Sequence, residues 1–236
     1  MSGFSRTEGI MAAIIFDLDD TLYPRVRHVH SGFSAVARAI SRRFDLEATD
    51  VYARLRAAHD QGFRGSELQR MCASCGLNEA LIPGLVHIIR THQPQLWLSH
   101  DASDALHALR VRGWRTAILT NGLPSTQAAK VRALGLCTLV DHVVYADEHA
   151  TGGKPAPEPF LAALNLLEVA PKNTVMVGDD RVNDIEGARA VGMRTVLLAR
   201  GERPTHDGGA DAVVSELADL PRLALDLVQH RMAHAA

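Results

Sequence analysis

No apolar run in this 236-residue chain approaches the roughly 20 residues that a membrane-spanning helix needs, so no membrane association is expected. The short apolar stretch at residues 10–16 ends at Asp17 and lacks a small-residue cleavage site, which argues against a signal peptide. Only three cysteines are present, too few for a disulfide framework. These absences favour a cytoplasmic location.

The chain also lacks a strong excess of either charge. Its net charge of -2 argues against a dedicated nucleic-acid-binding protein, which needs a basic surface. Residues 24–98 nevertheless contain ten arginines, no lysine and six acidic residues, whereas the remainder contains fifteen basic and twenty-one acidic residues. This asymmetry indicates two parts of different character.

Short apolar runs alternate with segments of helical periodicity through most of the chain. Such alternation is typical of strands that are buried on both faces and joined by crossover helices. The pattern therefore predicts an α/β fold whose core is a parallel sheet with helices on both faces. The predicted strands lie within residues 12–16, 116–119, 140–145, 174–177 and 195–199.

Residues 25–95 contain no strand-like run, and their apolar positions repeat at helical spacing. We expect a bundle of about four helices there, inserted directly after the first strand. The C-x-x-C pair Cys72 and Cys75 falls at core spacing, so packing is expected for it rather than metal binding. The expected domains are an α/β core at residues 10–23 and 97–236, a helical insert at 24–96 and a flexible tail at 1–9.

Polar residues follow three of the predicted strands at the point where each strand ends. They are D-L-D-D-T at residues 17–21, T-N-G at 120–122 and G-D-D at 178–180, with Asp184 a few residues further on. A fourth polar segment, Lys154-Pro155, precedes the helix that leads into the fourth strand. Because ligands of open α/β sheets bind outside the carboxyl ends of the strands, all four segments are expected at one crevice.

These segments resemble, in the same order, the four motifs of the haloacid dehalogenase-like (HAD) hydrolase superfamily. The matching stretches are D-L-D-D-T at 17–21, L-T-N at 119–121, Lys154-Pro155 and V-G-D-D-R-V-N-D at 177–184. Each motif alone is weak, but four in order are specific. The resemblance covers roughly residues 14–201 and implies a Rossmann-like core with a helical cap inserted after the first motif.

The resemblance also implies a division of catalytic roles. Asp17 is implied to attack phosphorus and form an aspartyl-phosphate, and Asp19 to protonate the leaving group and then activate water. Lys154 is implied to neutralise developing negative charge, and Thr120 to bind phosphoryl oxygens. The implied phosphate-binding set is Leu18, Thr120, Asn121, Gly122 and Lys154.

Clustered carboxylates repel each other unless a cation neutralises them, and Mg²⁺ prefers oxygen ligands. Mg²⁺ is therefore the expected cofactor. The resemblance implies Asp17, the backbone carbonyl of Asp19, and Asp179 as its ligands. Asp180 and Asp184 are implied to support the metal indirectly or through water.

Two features narrow the reaction within the superfamily. Dehalogenases lack an acid at the position of Asp19, and phosphonate-cleaving relatives need a cap lysine, which residues 24–96 do not contain. The sequence thus favours a Mg²⁺-dependent phosphatase for a small phosphomonoester, a sugar phosphate or nucleotide-like metabolite. A phosphomutase and a non-catalytic binding protein are the alternatives. No nucleic-acid or membrane partner is expected, and the chain is expected to be a monomer or homodimer.

Overall fold

A computed structural model describes residues 11–201 and 206–229 of the chain. The chain divides into two compact units, one formed by Met1–Pro24 with Leu98–Ala236 and the other by Arg25–Trp97. Each expected boundary differs by one residue, because Pro24 belongs to the first unit and Trp97 to the second. The tail expected at residues 1–9 lies outside the described residues.

The first unit is built on a six-stranded, wholly parallel sheet. All five predicted strands form, within a few residues of their expected ends, and a sixth strand of three residues was not predicted. The strands are β1 (Ala13–Phe16), β2 (Arg115–Thr120), β3 (His142–Tyr145), β4 (Thr174–Gly178), β5 (Arg194–Leu198) and β6 (Ala212–Val214).

Helices cover both faces of this sheet, as the sequence predicts. The helices of the first unit are α5 (His100–Val111), α6 (Pro124–Ala133), α7 (Pro157–Leu167), α8 (Gly187–Ala190) and α9 (Leu220–Gln229). Successive strand residues point to opposite faces. On one face, Ile15 and Met176 pack against Phe160 of α7 and Ala188 of α8. On the other, α5 contacts β2 and α9 contacts β4.

The second unit is wholly helical within its described residues. It contains α1 (Val26–Ser41), α2 (Ala48–Asp60), α3 (Glu67–Ser74) and α4 (Ile82–Thr91). Its own apolar core includes Phe33, Val36, Leu55 and Met71. Cys72 is fully buried in this core, which agrees with a packing role. Across residues 11–201 and 206–229, no helix combines the length and apolar character needed to cross a bilayer.

The strand order β3-β2-β1-β4-β5-β6 reverses direction between β1 and β4. Such a switch point leaves a crevice at the carboxyl ends of the two strands, because the connections leave them in opposite directions. Asp17 directly follows β1, and Asp179 directly follows β4. The topology therefore brings the first and last acidic segments to the same crevice.

Phe160 gives a direct test of the core between the sheet and α7. It is fully buried, so Phe160→Ala leaves a cavity and should lower the free energy of unfolding by about 3–5 kcal/mol. Leu161, its neighbour on α7, is 46% exposed, and Leu161→Ala should change that free energy by less than about 1 kcal/mol. Urea titrations followed by circular dichroism measure both, and equal losses would contradict this packing.

Candidate active site

Three carboxylates form the centre of the crevice. Asp17, Asp179 and Asp184 each contribute one oxygen, and these oxygens all lie within 4.8 Å of one another. Asp17 and Asp184 are buried, with 8% and 1% of their surface exposed, whereas Asp179 lies at the open side. Three negative charges at this separation repel each other strongly unless positive charge lies among them.

Lys154 supplies part of that positive charge from a fully enclosed position. Its Nζ donates to Asp17 Oδ1 at 2.7 Å, to Asp184 Oδ1 at 2.6 Å and to the carbonyl of Leu119 at 2.9 Å. All three ammonium protons therefore have acceptors. Burial alone would lower the pKa of Lys154, but the charges of Asp17 and Asp184 outweigh it and raise that pKa, so the lysine stays charged.

The carboxylate of Asp184 has both oxygens occupied by protein donors. Oδ1 accepts from Lys154, and Oδ2 accepts the backbone N–H of Asp180 at 3.1 Å. Burial raises the pKa of Asp184, while Lys154 opposes that shift. Gly178 makes this position possible, because a Cβ there would lie 2.1 Å from Asp184 Oδ2.

The side-chain amide of Asn121 holds the backbone of Lys154 at the other side of the crevice. Asn121 Nδ2 donates to the Lys154 carbonyl at 2.9 Å, and the Lys154 N–H donates to Asn121 Oδ1 at 2.8 Å. Gly153, at φ +66°, allows this close approach, because a Cβ there would lie 2.5 Å from Asn121 Oδ1. The segments after β2 and before α7 are thus joined by two hydrogen bonds.

Thr21 lies between two of the carboxylates. Its hydroxyl is 3.2 Å from Asp17 Oδ2 and 3.3 Å from Asp179 Oδ1, and it has one proton to donate. Desolvation of the carboxyl group, together with the charges of Asp17 and Asp20, raises the pKa of Asp179 to about 6. The open side of the crevice therefore carries more negative charge than the protein itself neutralises.

The carboxylate of Asp19 faces a different set of groups, which the sequence analysis did not identify. Asp19 Oδ1 accepts from the Tyr23 hydroxyl at 2.5 Å, and Oδ2 accepts from Lys130 Nζ at 2.6 Å and Gln127 Nε2 at 3.4 Å. Burial alone would raise the pKa of Asp19, but Lys130 in particular holds it below its usual range. A metal contact through the Asp19 backbone carbonyl stays a prediction.

The spacing of Gln127 and Lys130 is the sequence signal for these contacts. Residues three apart share one face of a helix, and both lie on α6, which starts just after the T-N-G segment. Both are buried, although polar and charged side chains are seldom buried without a partner. Tyr23 reaches Asp19 because the loop turns back at Asp20, whose φ is +59° and whose N–H donates to the Tyr23 carbonyl.

The remaining predicted site residues take varied positions. Asp180 caps the helical turn Arg181–Glu186 by accepting from the backbone N–H groups of Val182 and Asn183. The side chain of Leu18 is fully buried, so it offers a ligand only its backbone. The Thr120 hydroxyl makes a long, 3.5 Å contact to the Asn121 carbonyl and is otherwise available within the described residues.

Gly122 differs from its predicted role in one respect. Its backbone N–H donates to the carboxylate of Asp147, so this donor is already engaged. A phosphoryl group bound beside Thr120 would have to use other donors or displace Asp147. The phosphate-binding role of Gly122 therefore remains a prediction without a free donor in this structure.

The donor set fits a hard divalent cation. Asp17 and Asp179 present carboxylate oxygens to one point, and oxygen ligands of this kind suit Mg²⁺. Burial and the charges of Asp17 and Asp20 raise the pKa of Asp179, and a bound cation would favour its ionised form. Asp184 has both oxygens bound to protein donors, so its geometry favours an indirect contact.

A family model for haloacid dehalogenase-like hydrolases matches residues 11–192, which is most of the chain. The chain belongs to the haloacid dehalogenase-like hydrolases. This confirms the family, the Rossmann-like fold and the hydrolase class that the sequence motifs indicate. The family also accounts for the four motif segments meeting at one end of the sheet.

Two similar members of this family are named as phosphatases of small phosphorylated compounds. A ribulose-1,5-bisphosphate 5-phosphatase from Halopiger xanaduensis is 33% identical, covering 86% of this chain and 91% of its own length. A glyceraldehyde 3-phosphate phosphatase from Methanopyrus kandleri is 29% identical, covering 93% and 98%. The crystal structure of an HAD phosphatase from Thermococcus onnurineus matches 90% of this chain and 97% of its own, with a TM-score of 0.59 and 26% identity.

The pKa of Asp179 leads to a prediction about cation binding by this HAD hydrolase. A cation needs the ionised carboxylate, and Asp179 takes up a proton as the pH falls through about 6. Calorimetric titration with MgCl₂ should therefore give an affinity about tenfold weaker at about pH 5 than at about pH 7.5. Asp179→Asn should bind weakly at both pH values. Equal wild-type affinities would contradict the raised pKa.

Proposed function

We propose that this chain is a Mg²⁺-dependent phosphatase that hydrolyses a small phosphomonoester through an aspartyl-phosphate on Asp17. The observation that carries the proposal is the Asp17 carboxylate at the end of β1, bound to the buried Lys154 ammonium and facing Asp179. Phosphatase relatives that align over most of the chain support the same reaction.

The first half of the proposed reaction transfers the phosphoryl group to the protein. An oxygen of Asp17 attacks phosphorus, and the bond from phosphorus to the ester oxygen breaks. This step needs the protonated form of Asp19, which gives its proton to the departing alkoxide so that an alcohol leaves; because Lys130 holds the pKa of Asp19 low, a proton must first reach Asp19 from solvent. The charge of Lys154 and the Thr120 hydroxyl stabilise the negative charge on the phosphoryl oxygens, since both are in position before the reaction.

The second half returns the protein to its starting state. A water molecule attacks the phosphorus of the aspartyl-phosphate while Asp19 accepts one of its protons. The bond from phosphorus to Asp17 breaks, and inorganic phosphate leaves. The proton that Asp19 gave to the alcohol is thus replaced from water, and the protons balance over one turnover.

Mg²⁺ is proposed to be held by the carboxylates of Asp17 and Asp179 and, as the sequence resemblance implies, by the Asp19 backbone carbonyl. When bound, such a cation neutralises charge on the phosphoryl oxygens and on the carboxylates around it. Thr21 and Asp184 would keep Asp17 and Lys154 in place beside it. The raised pKa of Asp179 and the carboxylate spacing support this assignment.

A small substrate suits the space beside the carboxylates. A cavity of about 450 Å³ within the first unit is lined by Asp179, Asp20, Arg181 and Arg200 together with the end of β5. Cavities of several hundred Å³ bind small metabolites, and the two arginines favour a substrate with further anionic or polar groups. Substrate selection by the helical unit stays a prediction.

The nucleophile gives the main test. Wild-type chain with p-nitrophenyl phosphate should release phosphate only with Mg²⁺, and EDTA should abolish release. Asp17→Asn should lower kcat by at least about 10³-fold, because an amide cannot replace the attacking carboxylate. The matched control is Asp226→Asn on the exposed side of α9, which should leave kcat unchanged. Metal-independent turnover, or an active Asp17→Asn variant, would reject the mechanism.

The phosphomutase alternative is separated by its products. The chain is incubated with glucose 1-phosphate or with glucose 6-phosphate, with and without a catalytic amount of glucose 1,6-bisphosphate. A phosphatase should give free phosphate and none of the other isomer. Phosphorus NMR follows both products in one sample. Isomer formation without net phosphate release would establish the mutase in place of the phosphatase.

A further inference from the structure

Three buried side chains donate hydrogen bonds to the carboxylate of Asp19. Tyr23 approaches one carboxylate oxygen, while Lys130 and Gln127 approach the other. The Tyr23 residue is 1% exposed, and the side chains of Lys130 and Asp19 are 5% and 21% exposed. Asp19 is therefore fixed from the interior while part of its carboxylate remains open.

Asp19 is the one charged partner of Lys130 among the described residues. Within residues 11–201 and 206–229, its only hydrogen bond or ion pair from the ammonium goes to Asp19. A buried ammonium is unfavourable unless it is paired, so Lys130 and Asp19 each fix the position of the other. Of the three lysines in the chain, Lys154 binds Asp17, Lys130 binds Asp19 and Lys172 is exposed.

Gln127 connects the same carboxylate to the next catalytic segment. Its Nε2 donates to the Asn121 carbonyl as well as to Asp19 Oδ2. Asn121 in turn binds the backbone of Lys154. One face of α6 thus sets the position of Asp19 relative to the segment expected to bind phosphate.

We infer that Lys130, supported by Gln127, is a positioning residue that fixes the Asp19 carboxylate in the orientation required for its proton transfers. The inference rests on the proposed function, because it assigns Lys130 a role through Asp19. Within the part of the chain that the structure describes, the Lys130 ammonium bonds Asp19 and none of Asp17, Asp179 or Asp184. If Lys130 served only to stabilise the fold, its replacement would lower the rates with all substrates and of all reaction steps by the same factor.

The nature of the leaving group separates these two roles. p-Nitrophenol leaves readily as an anion, whereas phenol is much less acidic and depends on a proton from Asp19. Rapid-quench measurements of the first turnover give the rate at which p-nitrophenol leaves p-nitrophenyl phosphate and the rate at which phenol leaves phenyl phosphate. Lys130→Met should slow release from phenyl phosphate by at least about 10²-fold and from p-nitrophenyl phosphate by far less.

Three further variants complete the experiment. Asp19→Asn should show the same preference for p-nitrophenyl phosphate, and Asp19→Asn/Lys130→Met should be no slower than Asp19→Asn. Groups that act through one another show such non-additivity, whereas independent effects multiply. Lys172→Met, which removes an exposed lysine, should match the wild type with both esters.

Equal losses with both esters in Lys130→Met, or multiplied losses in the double variant, would overturn the inference and leave the proposed function intact. No phosphate release by the wild type with either ester would overturn the proposed function, and the inference with it. If Lys130→Met does not fold, the double variant leaves no unpaired charge. Its rate against Asp19→Asn then decides, and a further tenfold loss would overturn the inference.

Discussion

The ion pair network of Lys154 with Asp17 and Asp184 is the interaction on which the crevice depends. These three buried charges come from the loop after β1, the loop before α7 and the helical turn after β4, and each would be costly to bury without the others. Removing one partner would leave uncompensated charge, so the network fixes all three loops at once. The proposed nucleophile Asp17, the Lys154 ammonium and Asp184 are therefore parts of one electrostatic unit.

The same network leaves room for the proposed cation at the open side. Lys154 contributes one positive charge, and its buried ammonium group donates to Asp17 and Asp184. Asp179 has no such ion pair among the described residues, and burial together with the charges of Asp17 and Asp20 raises its pKa. The protein thus neutralises the buried side of the site itself, and the proposed metal and phosphoryl group would lie at the exposed side.

The sequence was sufficient for the sheet, its helices on both faces and the meeting of Asp17 with Asp179, because strand runs and crossover topology determine which loops share an edge. It did not reveal the partners of Asp19. Gln127 and Lys130 follow ordinary helical spacing on α6, and periodicity shows which residues share a face but not what that face contacts. The strand β6 was missed because three half-buried residues are too short to give a strand pattern.

The paired hydrogen bonds between Asn121 and Lys154 have a consequence for the energy of ligand binding. They join the side-chain amide of Asn121 to the backbone of Lys154, which lies 33 residues further along the chain. If this segment binds the phosphoryl group as proposed, the entropy of ordering it has already been lost during folding. A more mobile segment would have to become ordered when the ligand binds, which would weaken binding. The segments joined by Asn121 and Lys154 do not carry that cost.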